Sequence, residues 1–278
     1  MTSEFPRRAL FAGMAGLGAT LATHAARAMV GETSSGRASS AIGFDSAQQQ
    51  LDAFARVMGD TSGEPAPWWY TGHIYGVVPG EEPRPLVHFE GSETNVFRRQ
   101  PDGSYTSSSR TTTFYQSLDT HAVLQQFRNP YTGKSQTVRP NVLGQGVSTS
   151  WSTAGVQLLW PGLPATARVP LKVSWTGFGE LVWMRHDRVL PPGLPQPIFE
   201  ASTSVAQRVD LDDIHQSACP AQFSSTYIAR WPAWMEMGEL PGHVVWHADG
   251  VKVSSLDSLP QDYLQRVRNQ FPEQLEFS

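Results

Sequence analysis

The sequence predicts a mainly β chain. The expected form is a single antiparallel meander barrel with one N-terminal and one C-terminal helix, and the alternative is a two-sheet β-sandwich. Three observations carry this. Eight or more stretches of similar length alternate side chains with period two, the strand repeat. Short Pro, Gly, Asn and Asp turns join them without interleaved helices, which argues against parallel βαβ units. Cys219 is the one cysteine, so no internal disulfide holds the fold. A closed sheet of about eight strands removes exposed edges and leaves room for one small ligand, as in lipocalins.

The elements follow in order. Arg7 and Arg8 precede an uncharged run from Ala9 to Ala22 that ends near Ala26-Arg27-Ala28. This is the layout of a twin-arginine export signal over residues 1–28 with a small-x-small cleavage site. The run is too short and too rich in Gly and Ala for a membrane span, which needs roughly 20 apolar residues. Residues 29–46 read as a flexible leader, and 47–278 as one β-rich domain. Ala47–Met58 carries Leu51, Phe54, Ala55 and Met58 at helical spacing. Strands are expected at Trp68–Val78, Pro85–Gln100, Ser104–Tyr115, Ala122–Asn129 and Lys134–Arg139. Asn141–Pro170 reads as a long loop. Leu171–Asp187 reads as a strand interrupted by Gly177 and Gly179, which suggests a bulge, a bend or close backbone approach. Further strands are expected around Phe199–Val209, Ser225–Trp231 and His243–His247, and Leu259–Asn269 as a closing helix.

Composition bounds the partners. The first 28 residues hold three of 21 basic and one of 25 acidic residues, so the remainder is near −6. With no Lys/Arg cluster, nucleic acid and anionic membranes are disfavoured. Nine Trp and seven Tyr suit walls that are apolar over most of their area and need a few hydrogen bonds.

Several segments stand in a shared order. They are Trp69-Tyr70-Thr71-Gly72 with Tyr75 and Val78-Pro79-Gly80, Gln100-Pro101-Asp102-Gly103-Ser104-Tyr105, and Asn129-Pro130-Tyr131-Thr132-Gly133-Lys134. Trp231-Pro232-Ala233-Trp234-Met235-Glu236-Met237-Gly238 and His247-Ala248-Asp249-Gly250-Val251-Lys252 complete the series. In this order the chain resembles, from about residue 50 to 275, the bacterial family known as domain of unknown function 1838. The resemblance implies the fold and twin-arginine export, and no settled activity. Two departures stand out. His121 occupies a turn position where the family's Thr-Gly hairpin has Gly. Pro140-Asn141-Val142-Leu143-Gly144-Gln145-Gly146 stands where the family has a His-Val and Asn-Asp-Pro signature. If that region lines the pocket, it implies altered chemistry in this chain.

Strand parity groups the candidate residues. Trp69, Thr71, His73, Tyr75 and Val77 share one side; Trp68, Tyr70, Gly72, Ile74, Gly76 and Val78 share the other. His88 falls with Leu86 and Glu90, against Val87 and Phe89. Parity does not say which side faces inward. A His beside a carboxylate in an apolar setting is an acid–base pair; on the solvent side it is only surface. His243 and His247 are four apart on a strand, roughly 13 Å, too far to share one metal. Arg185-His186-Asp187-Arg188 reads as a solvated strand end, and Cys219 as a small buried hydrophobe. Gly144-x-Gly146 lacks the strand–helix setting of a dinucleotide loop. No metal or cofactor is expected.

Two functions fit. The first is an exported, periplasmic or secreted protein that binds a hydrophobic small molecule and performs cofactor-independent acid–base chemistry of isomerase, dehydratase or cyclase type. His88 and His247 would act as acid and base, Tyr75 and Tyr115 as hydrogen-bonding partners, and Glu90 as the orienting group. Trp69, His73, Trp175, Trp183, Trp231 and Trp234 would shape the pocket. The second is a non-catalytic carrier with the same pocket. In both, the partners are the ligand and the export machinery, with neither nucleic acid nor a stable membrane span.

Overall fold

The computed structural model describes residues 40–144, 148–159, 168–189 and 199–277. The export signal at 1–28 and the leader through residue 39 lie outside the described residues. A first helix, α1 (Ala47–Met58), begins where the Ser46 hydroxyl accepts the Gln49 N–H at 3.2 Å. This is an N-cap worth about 1 kcal/mol. The helix buries Leu51, Phe54 and Ala55. At its other end the Lys252 ammonium donates to the carbonyls of Arg56, Val57 and Gly59. These acceptors include carbonyls that the helix itself leaves without donors. Burial draws the Lys252 pKa down to about 8.

After the short β1 (Ser40–Ala41), β2 (Ala66–Val77), β3 (Arg84–Arg99) and β4 (Tyr105–Gln116) follow as a meander. Each lies within two residues of its expected bounds. Beyond them the structure differs from the expectation. The strand expected at 122–129 does not extend the meander. Val123 makes only a bridge back to Gln116, and β5 (Gln126–Arg128) and β6 (Ser135–Thr137) form a separate two-stranded sheet. Asn129 explains the detour. Its side-chain oxygen takes the N–H groups of Tyr131 and Thr132, while its amide donates to the Met235 carbonyl at 2.8 Å. The hairpin is thus tied to a corner at Ala233–Met235 rather than to β4.

The expected loop at 141–170 contains three strands, β7 (Asn141–Leu143), β8 (Ser148–Ser152) and β9 (Gly155–Leu159). The expected single strand at 171–187 is a hairpin of β10 (Val173–Phe178) and β11 (Leu181–Val189). It turns at Gly179, whose φ of +58° is left-handed. β12 (Phe199–Gln207), a short α2 (Arg208–Asp212), β13 (Ala221–Ala229), β14 (His243–Lys252) and α3 (Gln261–Gln270) complete the chain.

Among the described residues the main sheet has 12 strands, all antiparallel, in the order β1-β10-β11-β12-β13-β14-β2-β3-β4-β8-β9, with β7 also on β4. Among the described residues β1 and β9, the ends of this path, do not pair with each other. They approach each other in one respect: Val169, just before β10, exchanges both backbone hydrogen bonds with Val156 of β9, at 2.7 and 2.8 Å.

The inner face of the sheet carries two buried clusters. One packs around α1 and draws on both halves of the path, with Trp151 and Val156 from one and Trp175 and Met184 from the other. The second joins Ile74, Val87, Phe89, Tyr115 and Val244 to the Met235 corner. On the opposite face α3 lays Tyr263, Leu264 and Val267 over Phe114. Among the described residues no helix is long and apolar enough to cross a membrane.

Candidate functional site

A hollow of about 260 Å³ is lined by residues of both inner clusters. Trp68 belongs to the α1 cluster, Tyr70, Phe89 and Trp246 to the other, and Phe223 packs against both. The register builds the site from parity alone. Ser204, Phe223, Gly250, Tyr70, Gly91 and Thr113 stand in one row across β12, β13, β14, β2, β3 and β4. The next row brings Ser202, Ser225, Ala248, Gly72, Phe89 and Tyr115 together.

The room comes from the small residues in these rows. A Cβ on Gly91 would collide with the Tyr70 ring, and one on Gly250 with the Phe223 ring. A Cβ on Gly72 would overlap the His247 carbonyl oxygen and the tip of Phe89. The rings therefore lie down against bare backbone instead of filling the interior. Polar groups are spaced around them: the Tyr70 hydroxyl and Thr113 Oγ1 are 2.8 Å apart. Burial holds the Tyr70 phenol well above its ordinary pKa. Glu93 and Glu200 also line the wall.

Four of the five expected acid–base residues, His88, His247, Tyr75 and Glu90, stand on the other face of the same strands. Thr226, His247, His73, His88 and Gln116 form one cross-strand row over β13, β14, β2, β3 and β4. His73 and His88 have ring centres 4.9 Å apart, and His121 reaches in from the turn after β4 to 4.2 Å from His88. His121 is left-handed, at φ +57°, a strained conformation for a non-glycine residue.

His88 is buried and held at both ends, Nδ1 2.7 Å from Gln116 Oε1 and Nε2 2.9 Å from Thr71 Oγ1. Thr71 Oγ1 also lies 3.0 Å from the Phe89 carbonyl, so its one proton serves either that carbonyl or the imidazole. Burial, then repulsion by His121 and His247, lowers the His73 pKa. Burial also lowers that of His88, reinforced by His121 and His73 and opposed by the Gln116 hydrogen bond and Glu90. His247 is exposed, between Thr226 and His73 in the row. Tyr75 is half-buried beside His73, ring centres 6.3 Å apart. Glu90 does not orient His88; its carboxylate accepts from Arg266 of α3 at 2.6 Å. Among the described residues no three His, Cys, Asp or Glu side chains are grouped to hold a metal ion.

The tryptophans expected in one pocket are dispersed. Trp69 lies under α3, Trp175 packs edge-on to Phe44 at 5.1 Å, and Trp183 is 43% exposed. Trp231 and Trp234 form the apolar corner against Tyr131 and Phe127. Tyr115 alone of the expected acid–base set is on the inner face, buried against Trp234 and Trp246 at 5.2 and 5.7 Å. The wall is made instead by Trp68, Tyr70, Phe89, Phe223, Tyr227 and Trp246. His186, expected at a solvated strand end, is buried against Phe54 with ring centres 5.3 Å apart. Cys219 is fully buried, its thiol 3.3 Å from the Asp210 carbonyl, and burial pushes its pKa up.

The sequence matches the family described as "Protein of unknown function (DUF1838)" over residues 63–276. No curated protein and no solved structure matches the chain.

Proposed function

The chain belongs to the DUF1838 family of unknown function, and from that premise we propose that it is an exported protein that holds a small, largely apolar molecule inside its curled sheet. The carrying observation is the hollow of about 260 Å³ walled by aromatic rings and dotted with hydroxyls. Binding sites of this kind combine apolar walls with a few placed polar groups. Its lining comes from Met58 of α1 and from seven strands, from β12 round to β7. Strands near both ends of the sheet pack on α1, and Val156 pairs with Val169. These support a nearly closed barrel over a two-sheet sandwich. Arg7-Arg8 and the run behind it support twin-arginine export to the periplasm or beyond.

The test is a titration of the full chain with 1-aminoanthracene, whose fluorescence rises in an apolar site. One-to-one binding is expected, and Ser225→Phe, which places a ring in the hollow, weakens it at least tenfold while the protein stays folded. Absence of binding, or indifference to Ser225→Phe, would sink the reading.

The gathering of His73, His88, His121 and His247 favours a second reading, acid–base turnover on the outer face. Those histidines stand on the other side of the strands that wall the hollow, so any such chemistry is separate from binding within it. His73→Gln and His247→Gln would then abolish turnover and leave 1-aminoanthracene affinity unchanged.

A further inference from the structure

Resting on the reading of the hollow as a binding site, we infer that its occupant is a flat aromatic ring system carrying acceptor oxygens rather than an alkyl chain. The argument starts from how the wall is divided. Along β13, β14, β2 and β3 the rings of Phe223, Trp246, Tyr70 and Phe89 give broad π surface. Tyr70 and Phe223 are laid against glycine backbone, as the space around Gly91 and Gly250 shows. Flat faces of this kind favour offset or edge-on contact with another ring. A flexible chain loses rotamer freedom in a shaped slot and gains none of this geometry.

The flanks are polar. On one side stand the hydroxyls of Ser202, Ser204 and Ser225 beside Glu200; on the other are Thr111, the amide of Asn141 and Thr113, whose hydroxyl pairs with that of Tyr70, with Glu93 and Asn95 farther along β3. Hydroxyls and amides on both sides of an aromatic strip fit a ligand whose edges, not its faces, carry hydrogen-bonding groups. Five buried indole N–H groups find no acceptor among the described residues, and that of Trp246 is the one on a residue lining the hollow. A buried donor without a partner is unfavourable and is best relieved by an acceptor. An indole N–H can only donate, so the matching ligand atom is a carbonyl, ether or hydroxyl oxygen. The volume of about 260 Å³ lies just under the range of about 300–1,000 Å³ for drug-sized sites. It suits two or three rings.

The experiment is isothermal titration calorimetry on the full chain with two probes, 7-hydroxyflavone and lauric acid. The flavone is expected to bind at least tenfold tighter than lauric acid. Trp246→Phe, which keeps a ring and removes the N–H, is expected to weaken the flavone about tenfold and leave lauric acid within twofold. Ser225→Ala, which removes a single hydroxyl, is read beside it and is expected to weaken the flavone at least threefold. Lauric acid binding as tightly as the flavone, with Ser225→Phe abolishing it, overturns the ring assignment and leaves the hollow as a binding site. A flavone indifferent to both Trp246→Phe and Ser225→Ala overturns the edge-acceptor assignment. If neither probe binds and 1-aminoanthracene also fails, the inference falls with the reading beneath it.

Discussion

On the inner face of β14, β2 and β3, glycine and alanine alternate with large rings. On the outer face the same strands carry threonine, histidine and glutamate. Gly72 and Thr71 are adjacent residues of β2, yet the first keeps side chains out so that Phe89 can approach the backbone. The second reaches over its face to hold His88. The inner face depends on the absence of atoms and the outer face on hydrogen bonds. The difference teaches where each face is intolerant: added volume inside, lost partners outside.

The largest effect expected from this contrast is at Gly72. A Cβ there meets the backbone of β14, at the His247 carbonyl and the Ala248 Cα, as well as the Phe89 ring. Backbone cannot step aside as a flexible side-chain end can. Overpacking typically costs 1–3 kcal/mol, and Gly72→Ala should lie at the top of that range, about 3 kcal/mol in urea unfolding. A loss below about 1 kcal/mol would mean that the inner face is loosely packed and that the hollow is not held open by its glycines.

One residue earlier the expected loss is smaller and of another kind. Thr71→Val keeps the branched shape and removes the hydroxyl that meets His88 Nε2 and the Phe89 carbonyl. A buried partner left unmade costs about 1–2 kcal/mol. The His88 C–H resonances, followed by NMR, should move with the variant while binding of 1-aminoanthracene in the hollow stays within twofold. A change in ligand affinity comparable to that of Ser225→Phe would show that the two faces are not separate.

The same contrast explains what could be read from the chain. Period-two alternation placed β2, β3 and β4 within two residues, and the helical spacing of Leu51, Phe54, Ala55 and Met58 placed α1. Parity also separated Trp68, Tyr70 and Gly72 from Trp69, Thr71 and His73. It carries no inside or outside: His88, His247, Tyr75 and Glu90 stand on the side that faces α3 and solvent, and Tyr115 on the other. A signal was present: Gly72, Gly91 and Gly250 punctuate the inner rows, and glycine in a strand marks close approach. The strands β7, β8 and β9 were hidden because the Gly and Pro residues scattered through 141–170 break the alternation and mimic a loop. Buried Thr149 and Trp151 gain their meaning only against β4. The side hairpin of β5 and β6 depends on Asn129 reaching Met235, a contact across more than a hundred residues that no local pattern announces.

The smallest effect separates the faces by pH. His73 and His88 are both held below the ordinary imidazole pKa, by burial first and then by neighbouring imidazoles. The unfolded chain therefore takes up protons first as pH falls below about 6.5. Stability carried by these groups is full above that value. It declines as pH falls from there through their lower folded-state values. The groups that face them are His121, His247, Glu90 and Gln116, and Glu90 is tied to Arg266. His121→Gly removes one repelling ring and the left-handed strain together. The urea midpoint of the variant should fall less between pH 7.5 and 5.5 than that of the natural chain. Carboxylates and the distant histidines contribute alike to both proteins, so they cancel in the difference. Equal declines would show that the imidazoles are solvated independently and that the row on the outer face is geometry without coupling.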